Sequence, residues 1–134
     1  MNTLGVIPFI FGLFVGIFAW TFMEYMLHRY VFHAEDHWWL PANKYAYVFH
    51  FLVHGVHHAF PMERYRLVFP PLNGYILYLV AFKPLYERVF PELYYPAICI
   101  GTIFGYMFYD IGHYAIHHST PKKGYFRNIK VHHL

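Results

Sequence analysis

Long apolar runs alternate with short polar stretches along the chain. The first run, Leu4 to Met23, contains no charged side chain. As an α-helix it would be about 30 Å long, which is enough to cross a bilayer. Pro8 lies near its start, where a helix tolerates proline best. The pattern therefore predicts a membrane-spanning helix.

Two later runs, Leu72 to Phe90 and Tyr94 to Gly112, predict a helical hairpin with its tip near Pro91. Lys83 and Pro84 interrupt the first of these runs. It is therefore either a kinked span, with Lys83 reaching an interface, or a shallower re-entrant segment. The predicted fold is all-α: a single integral membrane domain over residues 1–134, with about three spans and a cytosolic histidine-rich cap.

Composition supports this assignment. Hydrophobic residues make up 58% of the chain and charged residues 13%, against about 45–50% and about 25% in soluble domains. The single cysteine, Cys99, excludes a disulfide framework and a thiolate zinc site,. A formal net charge of +3, spread through loops, does not indicate nucleic-acid binding,.

The basic residues predict the sidedness of the domain. With three crossings, residues 24–71 and the tail after Gly112 end on the same side of the membrane. These two stretches contain all twelve histidines and eight of the ten Lys and Arg residues. The positive-inside rule therefore predicts that the histidines face the cytosol. The eight basic residues are Arg29, Lys44, Arg64, Arg66, Lys122, Lys123, Arg127 and Lys130.

Most of the histidines fall into four clusters with short, regular spacing. The clusters are HRYVFH (His28, His33), HGVHH (His54, His57, His58, preceded by His50), HYAIHH (His113, His117, His118) and VHHL (His132, His133). Residues at i, i+3 and i+4 share one face of a helix, so the second cluster can direct three imidazoles to one point. The pair at i and i+4 in the third cluster can do the same.

Some positions do not fit a regular helix. His118 is turned about 140° from His113 around an α-helix, so it either serves another metal or lies in a distorted turn. His28 and His33, at i and i+5, cannot share an α-helical face, but they can straddle a helix end and approach two metals from one side. Gly55 and the glycine before His113 are predicted to allow close backbone approach.

Simpler roles account poorly for so many histidines. An isolated histidine is usually packed or hydrogen-bonded, which is how we interpret His37, and for His50 both roles stay open. Three separate doublets would be costly to desolvate without partners. A structural zinc site needs about four ligands, whereas the inventory approaches ten, so two metals are implied. Metal-buffering tracts have low complexity, which these regularly spaced clusters do not show. Carboxylate-rich dinuclear sites use Glu-x-x-His motifs, and none of the seven acids has that spacing.

The blocks EYMLHRYVFH, HFLVHGVHHAFPMERYRLVFPP, YDIGHYAIHH and IKVHHL resemble the fatty acid hydroxylase superfamily, and most of all the catalytic domain of fatty acid 2-hydroxylase. The resemblance implies an integral membrane enzyme with histidines around two metals. His118 matches a family histidine that ranks lower as a direct ligand, and His50 and His132 are less certain still. The implied ligands are His28, His33, His54, His57, His58, His113, His117, His118 and His133.

Two departures from the family pattern are visible. Glu63 stands where the family often has aspartate. His133 matches the first histidine of a final H-x-x-H-H block, but the sequence ends at Leu134, two positions before the last two histidines. The resemblance therefore predicts a domain truncated at its C-terminus.

The resemblance also implies an activity. A di-iron centre would use O2 to add a hydroxyl group to a fatty acyl chain at C2, with electrons from a separate donor that is cytochrome b5-like or ferredoxin-like. Iron is expected in the active enzyme, and zinc is possible in purified samples because nitrogen ligands suit both metals. Asp110 is predicted to orient a ligand imidazole. Residues predicted near the lipid substrate are Arg64, Tyr65, Arg66 and Tyr109, together with Tyr106 and Phe126.

Two other function classes stay open from the sequence. One is a lipid or sterol desaturase, or a C-methyl oxidase, on the same scaffold, because the motifs do not determine which carbon meets the metal. The other is a non-catalytic membrane protein that binds or transports metal. Transporters usually carry ionisable residues at mid-membrane depth and show internal repeats, whereas here the histidines lie beyond the span ends and no repeat is visible.

Overall fold

The computed structural model describes residues 4–34, 42–63, 65 and 70–133, which are almost entirely helical, with no β-strand in these ranges. The all-α prediction is therefore confirmed for this part of the chain. In chain order the elements are α1 (Val6–Leu27), the π-helical turn π1 (His28–Phe32), α2 (Lys44–His50), π2 (Phe51–Gly55), α3 (Val56–Ala59), α4 (Pro71–Leu77), π3 (Tyr78–Phe82), α5 (Lys83–Val89), a 3-10 turn (Glu92–Tyr94), α6 (Tyr95–His118) and α7 (Tyr125–His133).

One helix is long and apolar enough to cross a membrane among the residues that the structure describes. It combines α1 with π1 into 27 residues, Val6–Phe32, with a mean hydropathy of 2.2 over its most apolar window. The predicted first span lies almost wholly inside it, and the helix continues past Met23. The second and third predicted spans are helical but do not pass the same criterion, so the number of spans stays a prediction.

The two helices of the predicted hairpin are present and are joined by a short turn at Pro91. Helical structure runs from Pro71 to Val89 without a gap, because Pro84 lies in the first turn of α5, where its missing N–H costs little. The helix ends at Phe90, whose backbone is extended, and the 3-10 turn after Pro91 leads into α6. The tip near Pro91 is thus confirmed.

The chain divides into two compact units. The apolar unit combines Met1–Met23 with Phe69–Tyr109, and the histidine unit combines Glu24–Val68 with Asp110–Leu134. All twelve histidines of the sequence belong to the second unit. Whether residues 1–134 form a single domain stays a prediction.

In the apolar unit, α1 and α6 meet through two glycine pairs, each with G-x-x-x-G spacing: Gly12 with Gly16, and Gly101 with Gly105. A Cβ atom built on Gly16 would lie 2.1 Å from the Ile98 carbonyl oxygen. One built on Gly101 would lie 2.1 Å from the carbonyl oxygen of Leu13, which is on α1. The two backbones are therefore in direct contact, as in membrane helix pairs that associate through small residues.

Buried hydroxyl groups add polar contacts inside the same unit. The Tyr86 hydroxyl lies 3.0 Å from Oγ1 of Thr102, which in turn donates to the Ile98 carbonyl oxygen at 2.9 Å. The hydroxyl groups of Tyr78 and Tyr95 lie 2.6 Å apart. Since a buried hydroxyl without a partner is costly, these pairs allow polar side chains to pack between α4–α5 and α6.

The predicted close approaches at the other two glycines are wrong. Among the residues that the structure describes, a Cβ on Gly112 would meet no atom within 4 Å, and one on Gly55 would meet only the side chain of Phe51, at 3.0 Å. Close packing occurs instead where two long helices cross, and the sequence around a histidine does not reveal such a crossing.

The histidine unit is built from the end of α1 with π1, the segment α2–π2–α3, the end of α6, and α7. Asn43 caps α2, since its Oδ1 accepts hydrogen bonds from the backbone N–H groups of Tyr45 and Ala46 at 3.1 and 3.0 Å,. Gly124, with a φ of 85°, adopts the left-handed conformation that glycine accepts readily and starts α7.

Candidate metal centre

The π1 turn brings His28 and His33 together. The backbone N–H of His33 donates to the carbonyl oxygen of His28 at 3.0 Å, which is the i→i+5 bond of a π-helix. The ring centroids lie 5.0 Å apart. The pair straddles the end of the helix, as predicted, and its two rings belong to one histidine group. That they approach two metals stays a prediction.

His54, in π2, completes this first group. Its side chain is 5% exposed, and its ring centroid lies 4.9 Å from that of His28 and 4.9 Å from that of His33. One ring nitrogen from each of the three residues lies within 4.8 Å of the others. His58, one turn after His54, places its Nε2 3.0 Å from that of His54. Four imidazoles from two chain segments thus converge.

The second group joins α6 to α7. His113 and His117 lie one turn apart on α6, with their Nε2 atoms 3.1 Å apart. The Nε2 of His133, on α7, lies 2.9 Å from each of them. The three nitrogens therefore form a nearly equilateral triangle.

The two groups adjoin within the histidine unit. The ring centroid of His133 lies 5.8 Å from that of His28 and 5.4 Å from that of His58. His133 therefore belongs to the second group and also borders the first. Two neighbouring ion sites would fit this arrangement.

Hydrogen bonding by itself does not explain the triangle of His113, His117 and His133. In a neutral imidazole each ring nitrogen either donates or accepts, so among three mutually close Nε2 atoms at least two have the same role. A cation facing all three lone pairs removes this conflict. Ligands at right angles and about 2.1 Å from an ion lie about 3.0 Å apart, close to the observed edges. The residues therefore fit a metal ion.

A buried acidic side chain beside the first group also indicates that a cation fits there. Glu24 is 8% exposed, and its Oε1, which lies 3.6 Å from Nδ1 of His28, has no hydrogen-bond partner among the described residues. A buried carboxylate is costly without a compensating cation. A metal ion at the first group would supply that charge.

The environment lowers the pKa of two histidines of the second group, His133 and His117. Burial, followed by the nearby imidazoles of His117, His28, His58 and His33, lowers the pKa of His133 to about 4. Burial also lowers the pKa of His117, and the Lys130 ammonium and His118 add to this effect. Since the neutral ring is the form that binds metal, both residues are prepared as ligands.

The remaining predicted histidines have different surroundings. The Nε2 atom of His50 lies 2.5 Å from the carbonyl oxygen of Phe32, which is part of the backbone of π1. The ring of His118 packs against Tyr114, with the centroids 4.3 Å apart, and lies outside both groups. His132 is exposed. The side chain of His57 and all of His37 lie outside the described residues.

The predicted substrate and orienting residues are outside both groups. Tyr109 and Asp110 are half-buried, and Tyr65 is largely exposed. Tyr106 packs edge-on against Trp20 at 5.3 Å, and Phe126 is exposed. Arg64 and Arg66 lie outside the described residues. The substrate roles of these residues, like the metal-ligand roles of the histidines, stay predictions.

Two residues beside the histidines were not predicted from the sequence. Glu24 contacts His28, and the Lys130 ammonium donates to the carbonyl oxygens of His117 and Ser119 at 2.8 and 2.7 Å. Spacing offered a signal for both, since Glu24 precedes His28 by one helical turn and Lys130 precedes His133 by three residues.

The chain is 43% identical over 123 residues to the ceramide very long chain fatty acid hydroxylase SCS7 of Saccharomyces cerevisiae, covering 90% of this chain and 30% of that protein. It is 42% identical over 119 residues to the dihydroceramide fatty acyl 2-hydroxylase FAH2 of Arabidopsis thaliana, covering 89% and 48% respectively. The fatty acid 2-hydroxylase of Mus musculus is 41% identical over 127 residues, covering 92% and 32%.

This chain is homologous to the fatty acid 2-hydroxylases. The solved structure of full-length Scs7p, in which only the hydroxylase domain is visible, is similar to this chain with a TM-score of 0.82 at 39% identity. The match covers 97% of this chain and 48% of that one. The resemblance inferred from the histidine blocks is thereby confirmed.

This chain spans less than half the length of each of these three curated relatives: 30%, 48% and 32% respectively. No protein-family model matches it.

Proposed function

We propose that the chain is the hydroxylase domain of a membrane di-metal, O2-dependent monooxygenase that adds a hydroxyl group at C2 of a fatty acyl chain. The observation that carries the proposal is the pair of adjoining histidine groups, one of them with three Nε2 atoms 2.9 to 3.1 Å apart. The names of the relatives, which are hydroxylases of fatty acids or of ceramide fatty acyl chains, support the choice of substrate class.

In this proposal each histidine group holds one metal ion. His28, His33 and His54 hold the first, with His58 beside them, and His113, His117 and His133 hold the second. Bound iron would supply the redox chemistry that activates O2, which no protein side chain can supply. The same neutral nitrogen donors also suit zinc, so zinc in a purified sample would not contradict the proposal.

The proposed reaction consumes O2, electrons and protons together with the acyl chain. A C–H bond at C2 is replaced by C–OH with one oxygen atom of O2, and the other atom leaves as water. This requires two electrons and two protons for each hydroxyl group formed. We propose a separate electron donor, cytochrome b5-like or ferredoxin-like, as the source of the electrons.

The chain's own residues prepare the site. His54 and His117 are 5% and 2% exposed, and burial lowers the pKa of the His117 imidazole, which favours the neutral ring that binds metal. Glu24, beside Nδ1 of His28, orients that ring and balances positive charge. Asp110 has a similar orienting role in this proposal, and Arg64, Tyr65, Arg66 and Tyr109 contact the lipid substrate.

The membrane arrangement is part of the proposal. Three spans would place both histidine-bearing stretches on the cytosolic face, and the eight basic residues in these stretches support that orientation,. The substrate would then enter from the bilayer. The alternatives of a desaturase, a sterol oxidase or a metal transporter are not favoured, because the three relatives named are hydroxylases.

The test is lipid analysis of cells that lack a 2-hydroxylase of their own and express this protein. We expect 2-hydroxylated acyl chains to appear, and to fall to background with His133→Ala. Asn128→Ala, which changes an exposed residue of the same helix, is the matched control and should retain the product. Desaturated acyl chains instead of hydroxylated ones, or altered metal uptake with unchanged lipids, would contradict the proposal.

A further inference from the structure

Lys130 joins α7 to the end of α6. Its ammonium group donates to the carbonyl oxygens of His117 and Ser119, at 2.8 and 2.7 Å. The last carbonyl groups of a helix have no intrahelical N–H partner, and a cation is favourable there because the helix dipole is negative at that end. The contact therefore satisfies two acceptors that belong to α6 and the residue just after it.

Little else in the described structure holds α7 by burial. None of its residues is buried. Of its four apolar side chains, Tyr125, Phe126 and Val131 are 73%, 64% and 62% exposed, and Ile129 is half-buried. The segment that connects it to α6, residues 119–124, has no helical structure. Hydrophobic packing, which holds most helices in place, therefore contributes little to the position of α7.

The position of α7 matters because it carries His133. Lys130 and His133 are three residues apart, so they lie on the same side of the helix. When Lys130 binds the end of α6, the next turn of α7 lies above His113 and His117. The Nε2 of His133 then lies 2.9 Å from both.

We propose that Lys130 is a positioning residue that fastens α7 to the C-terminal end of α6 and thereby places His133 in the second histidine group. The inference rests on the proposed function, because it assumes that this group binds metal. Lys130 itself does not contact the metal, and it acts through His133.

The first test is metal content, measured by elemental analysis at limiting metal. Lys130→Met keeps the length of the side chain but removes the cation. We expect it to weaken metal binding at the second group about 10–100-fold, as loss of a supporting contact typically does, while the first group keeps its ion. Lys130→Arg, which can still donate to two carbonyls, should restore most of the binding. Lys122→Met, at an exposed lysine in the connecting segment, should have no effect.

A double variant separates positioning from a general loss of stability. If Lys130 acts through His133, adding Lys130→Met to His133→Ala should cause no further loss of metal. Independent, additive losses would overturn the proposal, and so would unchanged metal content in Lys130→Met.

Hydrogen exchange of the metal-free protein gives a measurement that does not depend on metal binding. Lys130→Met should increase amide exchange in residues 125–133 and leave α1 and the first half of α6 unchanged. If the unmodified protein binds no metal, the proposed function fails, and this measurement still tests the role of Lys130. Equal exchange in both proteins would refute that role.

Discussion

At the scale of single residues, the histidines differ more than their spacing suggests. His54 and His117 are almost completely buried, whereas His132, next to His133, is exposed. His50 contacts a backbone carbonyl group, and the ring of His118 packs on a tyrosine. Identity and spacing predicted a shared site, but the contacts of each ring, and not its burial, separate the converging rings from the supporting ones. His28 and His133 converge although they are only half-buried, as are His50 and His118.

The pKa of His133 leads to a prediction for the metal-free protein. Its imidazole has a pKa near 6.5 when unfolded and about 4 when folded. Between these values the unfolded state binds more protons, so the free energy of unfolding should fall as the pH drops from about 6.5 to about 4. Above pH 6.5 this residue should contribute no pH dependence. Thermal unfolding in detergent, with metal removed by a chelator, measures the effect.

The control is His133→Asn, which removes the titrating ring. Its unfolding temperature should fall less steeply between pH 6.5 and 4 than that of the unmodified protein. Equal slopes for the two proteins would mean that the folded structure does not hold this ring neutral.

At the scale of elements, π-helical turns and glycine pairs shape the protein. The π1 turn places His28 next to His33, because in a π-helix the i→i+5 hydrogen bond brings residues five apart close together,. An α-helical template could not predict this contact. The glycine pairs of α1 and α6 were equally visible in the sequence, but their meaning depends on which helices pack together.

The glycine contacts predict opposite effects of two similar substitutions. Gly16→Ala would place a Cβ atom 2.1 Å from the Ile98 carbonyl oxygen, so α1 and α6 must separate, at a cost of about 1–3 kcal/mol. The Cβ of Gly112→Ala would meet no atom of the described residues within 4 Å. This substitution should stabilise α6 by about 0.5–1 kcal/mol, because alanine loses less backbone entropy than glycine in a helix.

Unfolding in detergent of the two alanine variants and the unmodified protein measures both effects. If Gly112→Ala reduced stability as much as Gly16→Ala, the crossing of α1 and α6 would not explain the effect of these substitutions. Helix propensity and local strain would explain it instead.

At the scale of the whole molecule, sidedness is open to direct measurement. If α4–α5 and α6 both cross the membrane, Glu92 near the hairpin tip and Lys123 after α6 face opposite sides. In a Cys99→Ala background, Lys123→Cys should react with a membrane-impermeant maleimide only when the reagent has access to the cytosolic face of the membrane. Glu92→Cys should react from the opposite side. Labelling of both from the cytosolic side would favour the re-entrant segment.

The sequence by itself determined the helical class, the hairpin tip near Pro91 and the homology, because hydrophobic periodicity, proline and histidine spacing are local properties of the chain. Only the tertiary structure decided which histidines converge. His28 and His133 are 105 positions apart, and their proximity depends on π-turns and on the contact of Lys130 with the end of α6. Such contacts form between segments distant in sequence, where spacing along one helix carries no information.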